Sequence, residues 1–365
     1  MKKIKVSLRE NSYNIYAGSS VFNQIGKYLN NHKTYKNSLI IVDGNVMKHH
    51  GRKIKSLMSL SNGKNGLYVL KPGEKSKSYL ELNKIYSFML GKGYGRDTLI
   101  IAVGGGVTGD LAGYAASTFM RGVQLVHVPT TLLAAVDSAI GGKTGINFNK
   151  KKNMIGTFYQ PEFVFIDTDF LLTLPEPEMK SGLGEVIKYA FLSDAGFFSY
   201  VSQNLEGIIE RKPEVLEKII VKSAGIKAAV VSQDEKESGL RKILNLGHTF
   251  AHAYESELNF RVKHGEAVIA GIVSALTLSE KMGILSSSDK VKYLNLPLRV
   301  KLSTLFNKVN SGNIYRLMSS DKKNREGKIK FVLASGVGKI LLDVEAPKKL
   351  VLESVESAKK IISVN

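Results

Sequence analysis

Apolar and polar positions fall into two textures along the chain. In the first half, short apolar runs alternate with amphipathic stretches. Val6–Tyr16 alternates with a period of two and predicts a strand. Leu39–Val42 is a second apolar run, ending in Asp43-Gly44, and Leu67–Leu70 is a third, ending in Lys71-Pro72-Gly73-Glu74. A helical pattern follows over 78–90. Thr98–Val103 runs into Gly104-Gly105-Gly106, Leu125–Val128 is stopped by Pro129, and Phe163–Ile166 ends in Asp167. Strands alternating with helices predict a parallel, doubly wound, Rossmann-like sheet. Such sheets gather ligands at the carboxyl ends of their strands, where these acids, glycines and threonines sit.

Beyond Pro175 and Pro177 the period changes from two to that of a helix. Segments 178–202, 213–233, 242–258 and 264–283 carry helical periodicity, and 329–342 reads as a late strand pair. The expected organisation is an α/β domain over 1–174 followed by a mostly α-helical domain over 175–365. Ala267–Leu278 is the longest apolar stretch; at about 12 residues it falls short of the ~20 that span a bilayer and reads as a buried helix. The basic start, Met1–Lys5, is not followed by an apolar core, so a cytoplasmic protein with no membrane partner is the expectation.

Composition adds one exclusion and one ambiguity. The 365 residues contain no cysteine, which removes disulfides, thiolate metal sites and a cysteine nucleophile. Any metal must be held by imidazoles and carboxylates. The formal net charge of +20 fits nucleic acid, a membrane surface or an anionic small molecule equally well. The basic residues are spread along the chain without aromatic interleaving, and no nucleic-acid motif is present, so no nucleic-acid partner is expected.

Three local constellations carry chemistry. Gly104, Gly106 and Gly109 satisfy G-x-G-x-x-G after a strand, where glycines let backbone N–H groups approach a pyrophosphate. The acid expected about 20 residues later is missing, so the turn departs from the standard fingerprint. Asp43, at the end of an earlier strand, is a candidate for the ribose hydroxyls as well as an ordinary turn acid. Of seven histidines, His248, His252 and His264 fall within 17 residues. The first two are four apart, on one helical face; His264 heads the next helix, and Glu185 stands at an expected helix start. Two imidazoles and a carboxylate with an open position make a catalytic zinc arrangement, but spacing does not choose between His248 and His252. The motif is not H-E-x-x-H, which disfavours a zinc protease. Finally Arg121, Lys143, Lys152 with Asn153, Lys188, Lys227 and Arg241 with Asn245 are basic or polar residues in apparently sheltered contexts, suited to a phosphate and a carboxylate on one substrate. Gly141-Gly142-Lys143-Thr144 resembles the end of a P-loop but lacks its leading glycine.

Taken together these segments resemble the 3-dehydroquinate synthase family of sugar phosphate cyclases. The matching stretches are 72–77, 104–110, 119–122, 129–134, 136–147, 152–156, 182–188, 244–250, 264–268 and 321–323. The resemblance implies a dehydroquinate synthase-like fold and a homodimer using NAD and one divalent metal, zinc or cobalt. It implies conversion of 3-deoxy-D-arabino-heptulosonate 7-phosphate to 3-dehydroquinate and phosphate, a lyase-type step of aromatic amino acid biosynthesis with NAD regenerated. By motif, Glu185, His248 and His264 resemble the metal ligands and His252 a phosphate-contacting non-ligand. Asp137, Lys143, Asn153, Lys188, Lys227, Arg241 and Asn245 resemble substrate-positioning residues, and Arg121 and Lys152 the phosphate holders. Asp43, Glu74, Lys77, Gly105, Gly106, Asp110, Thr130, Thr131, Lys143, Lys152, Phe170 and Thr173 resemble the NAD site. One of Lys322 and Lys323 is expected to reach the substrate. Ala139 departs from the family pattern, where a second serine is common.

Overall fold

The computed structural model describes residues 1–30, 35–59, 61, 63–149, 151–320 and 328–364. Lys322 and Lys323 lie outside them. The described residues form two compact units, one of 1–175 with 211–236, the other of 176–210 with 237–365.

The first unit is built on a seven-stranded sheet. Its strands are β1 (Lys2–Val6), β2 (Tyr13–Gly18), β3 (Asn37–Asp43), β4 (Asn65–Leu70), β5 (Thr98–Gly104), β6 (Gln124–Pro129) and, after a separate hairpin of β7 (Lys143–Phe148) and β8 (Lys151–Phe158), β9 (Phe163–Asp167). The order is β1-β2-β9-β6-β5-β3-β4, parallel except for β1 against β2. Alternation within each strand explains the double winding. Ile40 and Val42 of β3, with Leu99, Ile101 and Val103 of β5, enter one apolar core; Leu39, Ile41, Ile100 and Ala102 enter the other. The chain moves from β3 outward to β4, then returns to place β5 on the other side of β3. This reversal between β3 and β5 is a topological switch point, with Val42 paired to Val103 so that Asp43 and the glycine turn emerge side by side.

Three features of the first unit differ from the sequence reading. The run 6–16 is not one strand: β1 and β2 are antiparallel, separated by a turn in which Asn11 takes φ 56°. The β7–β8 hairpin was not anticipated, because its short glycine-containing segments have no clean alternation. Helix Pro213–Gln233, expected in the second half, packs on β1, β2 and the segment 134–138, buries Val215, Leu216, Ile219 and Ile220, and so belongs to the first unit.

The second unit is mostly helical. Helix His264–Lys281 is buried along nearly its whole length and packs against helices Glu176–Leu192, His248–Glu257, Ser287–Leu298 and Lys348–Ser363. The apolar stretch at 267–278 is thus the centre of this unit. The late strand pair is the antiparallel hairpin of β10 (Lys330–Gly336) and β11 (Lys339–Glu345). Segment 178–202 is two helices, divided where Asp194 caps Ala195–Gln203 by accepting from Phe197 N at 2.9 Å. Segment 242–258 is also divided: a 3-10 turn over Leu240–Asn245 ends before Gly247, whose φ of 76° breaks the path ahead of helix His248–Glu257. Among the described residues no helix is long and apolar enough to cross a membrane.

Candidate functional site

In the second unit, two close helix crossings bring the metal-ligand candidates together. A Cβ built on Gly184 would lie 2.3 Å from Gly265 O, and one on Gly265 would lie 1.9 Å from Ser181 O. Only glycine lets helices Glu176–Leu192 and His264–Lys281 meet backbone to backbone, and the neighbouring residues are Glu185 and His264. Likewise a Cβ on Gly271 would lie 2.2 Å from Gly247 O, which seats the start of the helix carrying His248. Glu185 is in the middle of its helix, not at the start expected from the sequence.

The outcome is a convergent donor set. Ligand atoms of Glu185, His248 and His264 all lie within 4.8 Å of one another. His264 Nε2 is 3.1 Å and His248 Nε2 3.4 Å from Glu185 Oε1. Glu185 Oε2 is ion-paired with Lys188, one helical turn on, and both side chains are almost fully buried. The two oxygens are thus divided, Oε2 held by the Lys188 ammonium and Oε1 facing both imidazoles. Burial would push the Glu185 carboxyl up, but the Lys188 ammonium and then His248 hold it well below the usual carboxylate range. Burial pulls the His248 imidazole down against the attraction of Glu185. For His264 burial acts in the same sense, but hydrogen bonds to Glu185 and Glu255 outweigh it and push the imidazole up to about 10. Two imidazoles and one carboxylate with no thiolate suit a borderline divalent ion such as zinc or cobalt.

His252 stacks edge-on against His248 at 5.5 Å between ring centroids and stands outside the convergent set. Asn245 Nδ2 donates to Glu237 Oε1 at 3.0 Å, and Arg241 is 2% exposed. Neither Glu237 nor Glu255 was singled out in the sequence; the available signal for Glu255 was its place seven residues after His248, on the same helical face.

In the first unit, the strand ends carry a polar network. The glycine turn leads from β5 directly into helix Gly106–Thr118. Thr130 N donates to Gly104 O at 2.9 Å. Thr131 Cγ2 would be 2.9 Å from a Cβ on Gly105, so this turn is closed to larger residues. Lys77, 5% exposed, ion-pairs with Asp110 in the following helix and donates to Asn153 Oδ1. Burial raises the Asp110 carboxyl, and Lys77 only partly offsets this. Glu74 Oε1 accepts from Asn147 Nδ2 at 2.7 Å, and Asn147 Oδ1 accepts from Asn153 N at 3.0 Å. The hairpin therefore docks on the loop 73–78 and places Asn153, in the left-handed region at φ 54°, beside Lys77. Asp43 caps helix Gly44–Lys55 by accepting from Asn45 N at 2.8 Å, which is the turn-acid role. Lys227 donates to Asp137 O at 2.7 Å and pairs with its carboxylate at 2.8 Å.

One expectation is corrected. Arg121, Lys143 and Lys152 are exposed, whereas Lys188, Lys227 and Arg241 are buried, so the basic residues do not share one sheltered context. Phe170 is a core residue, packed edge-on against Phe22 with Lys53 over its ring. Thr173 Oγ1 lies 2.7 Å from His50 Nε2. Lys143 opens strand β7 and no helix follows it, so the Gly-Gly-Lys-Thr stretch lacks the helix N-terminus of a P-loop.

Comparison with known proteins agrees with this layout. A family model described as 3-dehydroquinate synthase N-terminal matches residues 67–181, and one described as 3-dehydroquinate synthase C-terminal matches 182–324. The 3-dehydroquinate synthase of Alkaliphilus metalliredigens is 40% identical over 354 residues, covering 96% of this chain and 97% of that one. A crystal structure of 2-deoxy-scyllo-inosose synthase complexed with carbaglucose-6-phosphate, NAD+ and Co2+ is 26% identical, with a TM-score of 0.87 over 98% of this chain and 99% of that one. In fold alone, the 2-epi-5-epi-valiolone synthase of Streptomyces hygroscopicus, with NAD+ and Zn2+ bound, is similar at a TM-score of 0.85 and 23% identity over 97% of this chain and 98% of that one. The chain belongs to the 3-dehydroquinate synthase family.

Proposed function

We propose that this chain closes 3-deoxy-D-arabino-heptulosonate 7-phosphate into 3-dehydroquinate with loss of phosphate, as an NAD- and divalent-metal-dependent lyase. The observation that carries the reading is the convergence of Glu185, His248 and His264 in a chain that matches the family over nearly its whole length. When bound, NAD supplies reversible oxidation of one substrate alcohol and the cation supplies Lewis-acid polarisation of that alcohol.

The chain's own residues do the rest. Glu185, His248 and His264 hold the cation. Lys188, ion-paired with Glu185, keeps that carboxylate ionised, and on the family resemblance we assign it a substrate-positioning role. Asp137, fixed by Lys227, orients substrate hydroxyls. Arg241, Asn245 and Lys143 position the substrate anions, and Arg121, Lys152, Asn153 and His252 hold the phosphate. The leaving phosphate is itself basic enough to take the neighbouring C–H proton, so no separate strong base is required. The glycine turn at Gly105 and Gly106, at a helix N-terminus, receives the dinucleotide pyrophosphate. Asp43, Glu74, Lys77, Asp110, Thr130, Thr131, Lys143, Lys152, Phe170 and Thr173 complete that site. On the resemblance we assign a cytoplasmic homodimer, which sedimentation of the purified protein tests.

The deciding experiment supplies a catalytic amount of NAD with the heptulosonate phosphate. Phosphate release with no net growth of NADH absorbance is the expected result. Conversion of all the added NAD to NADH without phosphate release would instead make the chain a polyol dehydrogenase and overturn the assignment.

A further inference from the structure

We infer that Glu255 is a positioning residue that fixes the tautomer and ring orientation of His264 for cation binding; this rests on the metal-site reading above. The two candidate imidazole ligands are built alike. Each turns its Nε2 toward Glu185 Oε1, and each has an oxygen at its Nδ1. For His248 that oxygen is the carbonyl of Leu246, at 3.3 Å. For His264 it is Glu255 Oε2, at 3.5 Å. Oxygens face both nitrogens of each ring; when a cation takes the place of the Nε2 proton, the Nδ1–H directed at its oxygen fixes the tautomer a ligand needs.

The two oxygens differ in charge. Leu246 offers a neutral carbonyl fixed by the backbone. Glu255 offers a carboxylate whose side chain is only 7% exposed, and a buried carboxylate is costly unless its surroundings compensate it. A divalent ion on the far side of the same imidazole adds to that compensation: Glu185 already faces the Lys188 ammonium, and Glu255 brings a second negative charge near the ion. The imidazole between them transmits the anionic character of Glu255 to Nε2 and makes it a better donor. Helix geometry ties this function to the ligand helix itself. Glu255 follows His248 by seven residues on one face of helix His248–Glu257, so the element that supplies one ligand also aims the other.

The test uses the full-length protein and measures Co2+ binding by competition with a chromophoric chelator, alongside the visible spectrum of the bound cobalt. Glu255→Gln keeps the shape and removes the charge; it is expected to weaken Co2+ binding by about 10- to 100-fold and to shift the cobalt bands. Glu255→Ala is expected to weaken it further, with NAD affinity unchanged in both. A Glu255→Gln protein that binds Co2+ as tightly as wild type, with the same spectrum, overturns the inference while leaving the metal site intact. A loss of thermal stability without a change in Co2+ affinity also overturns it, since that is the behaviour of a merely structural carboxylate. A wild-type protein that binds no Co2+ removes the metal-site reading and this inference together.

Discussion

At the scale of single residues, the sequence named the histidine cluster, but only geometry separates its members. His248 and His252 are equivalent by spacing, both on one face of their helix, and the choice of His248 rested on family resemblance. The structure brings His248 to 3.4 Å from Glu185 and leaves His252 outside the convergent set. Replacing His248 with Ala should therefore weaken Co2+ binding by more than about 100-fold, while His252→Ala should stay within about 10-fold of wild type, because a removed ligand costs more than a removed neighbour. Chelator competition measures both, and the reverse order would exchange their roles. His127 is different in kind: nothing in its strand pattern marks it, yet it is buried in β6 beside Gly109, and burial pulls its imidazole down to about 4. The folded state holds it neutral, so the unfolded chain takes up a proton first as pH falls from about 6.5. Stability present above that pH is lost on the way down to about 4, by roughly 3 kcal/mol from this group alone. Wild type should thus lose more urea stability between about pH 7 and about pH 4.5 than His127→Gln does. Equal losses in the two proteins would show that His127 carries no such linkage.

Elements were legible in proportion to their periodicity. The parallel strands β3, β4, β5, β6 and β9 and helix His264–Lys281 carry apolar runs, and the pattern located them. The β7–β8 hairpin was missed because much of it is exposed and its apolar and polar residues do not alternate. The run at 6–16 misled in the opposite way: period two persists across the turn at Asn11, and alternation does not register a reversal of direction. Helix contacts are a further level that periodicity omits. Gly184 and Gly265 read as ordinary helix-weakening residues, whereas each removes a side chain that the other helix's backbone would strike. Gly265→Ala should force the two helices apart, cost on the order of 3 kcal/mol, and lower Co2+ affinity through the displaced His264. Gly225 is the control, since a Cβ there meets nothing within 4 Å in the interior of helix Pro213–Gln233. Gly225→Ala should raise stability by about 0.5–1 kcal/mol, as helix propensity alone dictates. Calorimetric melting of the two variants checks both signs.

For the molecule as a whole, chain order was a good guide to everything except helix Pro213–Gln233. Sequence texture assigned it to the helical half because it is a helix; packing gives it to the sheet-bearing unit, together with Lys227. Periodicity reports what an element is and is silent about which core its apolar face enters. The consequence is a division of labour that can be measured. The dinucleotide-site candidates Lys77, Asp110 and the glycine turn lie in the first unit, and the three metal-ligand candidates in the second. Lys77 is nearly buried and ties Asp110 to Asn153, so Lys77→Ala leaves a buried acid and a hairpin residue without their shared cation. Loss of such a charge-assisted contact is worth about 1.5–3 kcal/mol, so NAD binding should weaken by about 10-fold or more. Cobalt stoichiometry and affinity should stay as in wild type. His264→Ala should give the opposite pair of results, with metal lost and NAD retained. Equilibrium titration of both variants with NADH, followed by fluorescence, and with Co2+, followed by absorbance, gives a two-by-two outcome. If Lys77→Ala releases metal, or His264→Ala releases NAD, the two cofactors are not held by separate units, and the residue assignments that follow from that separation fall.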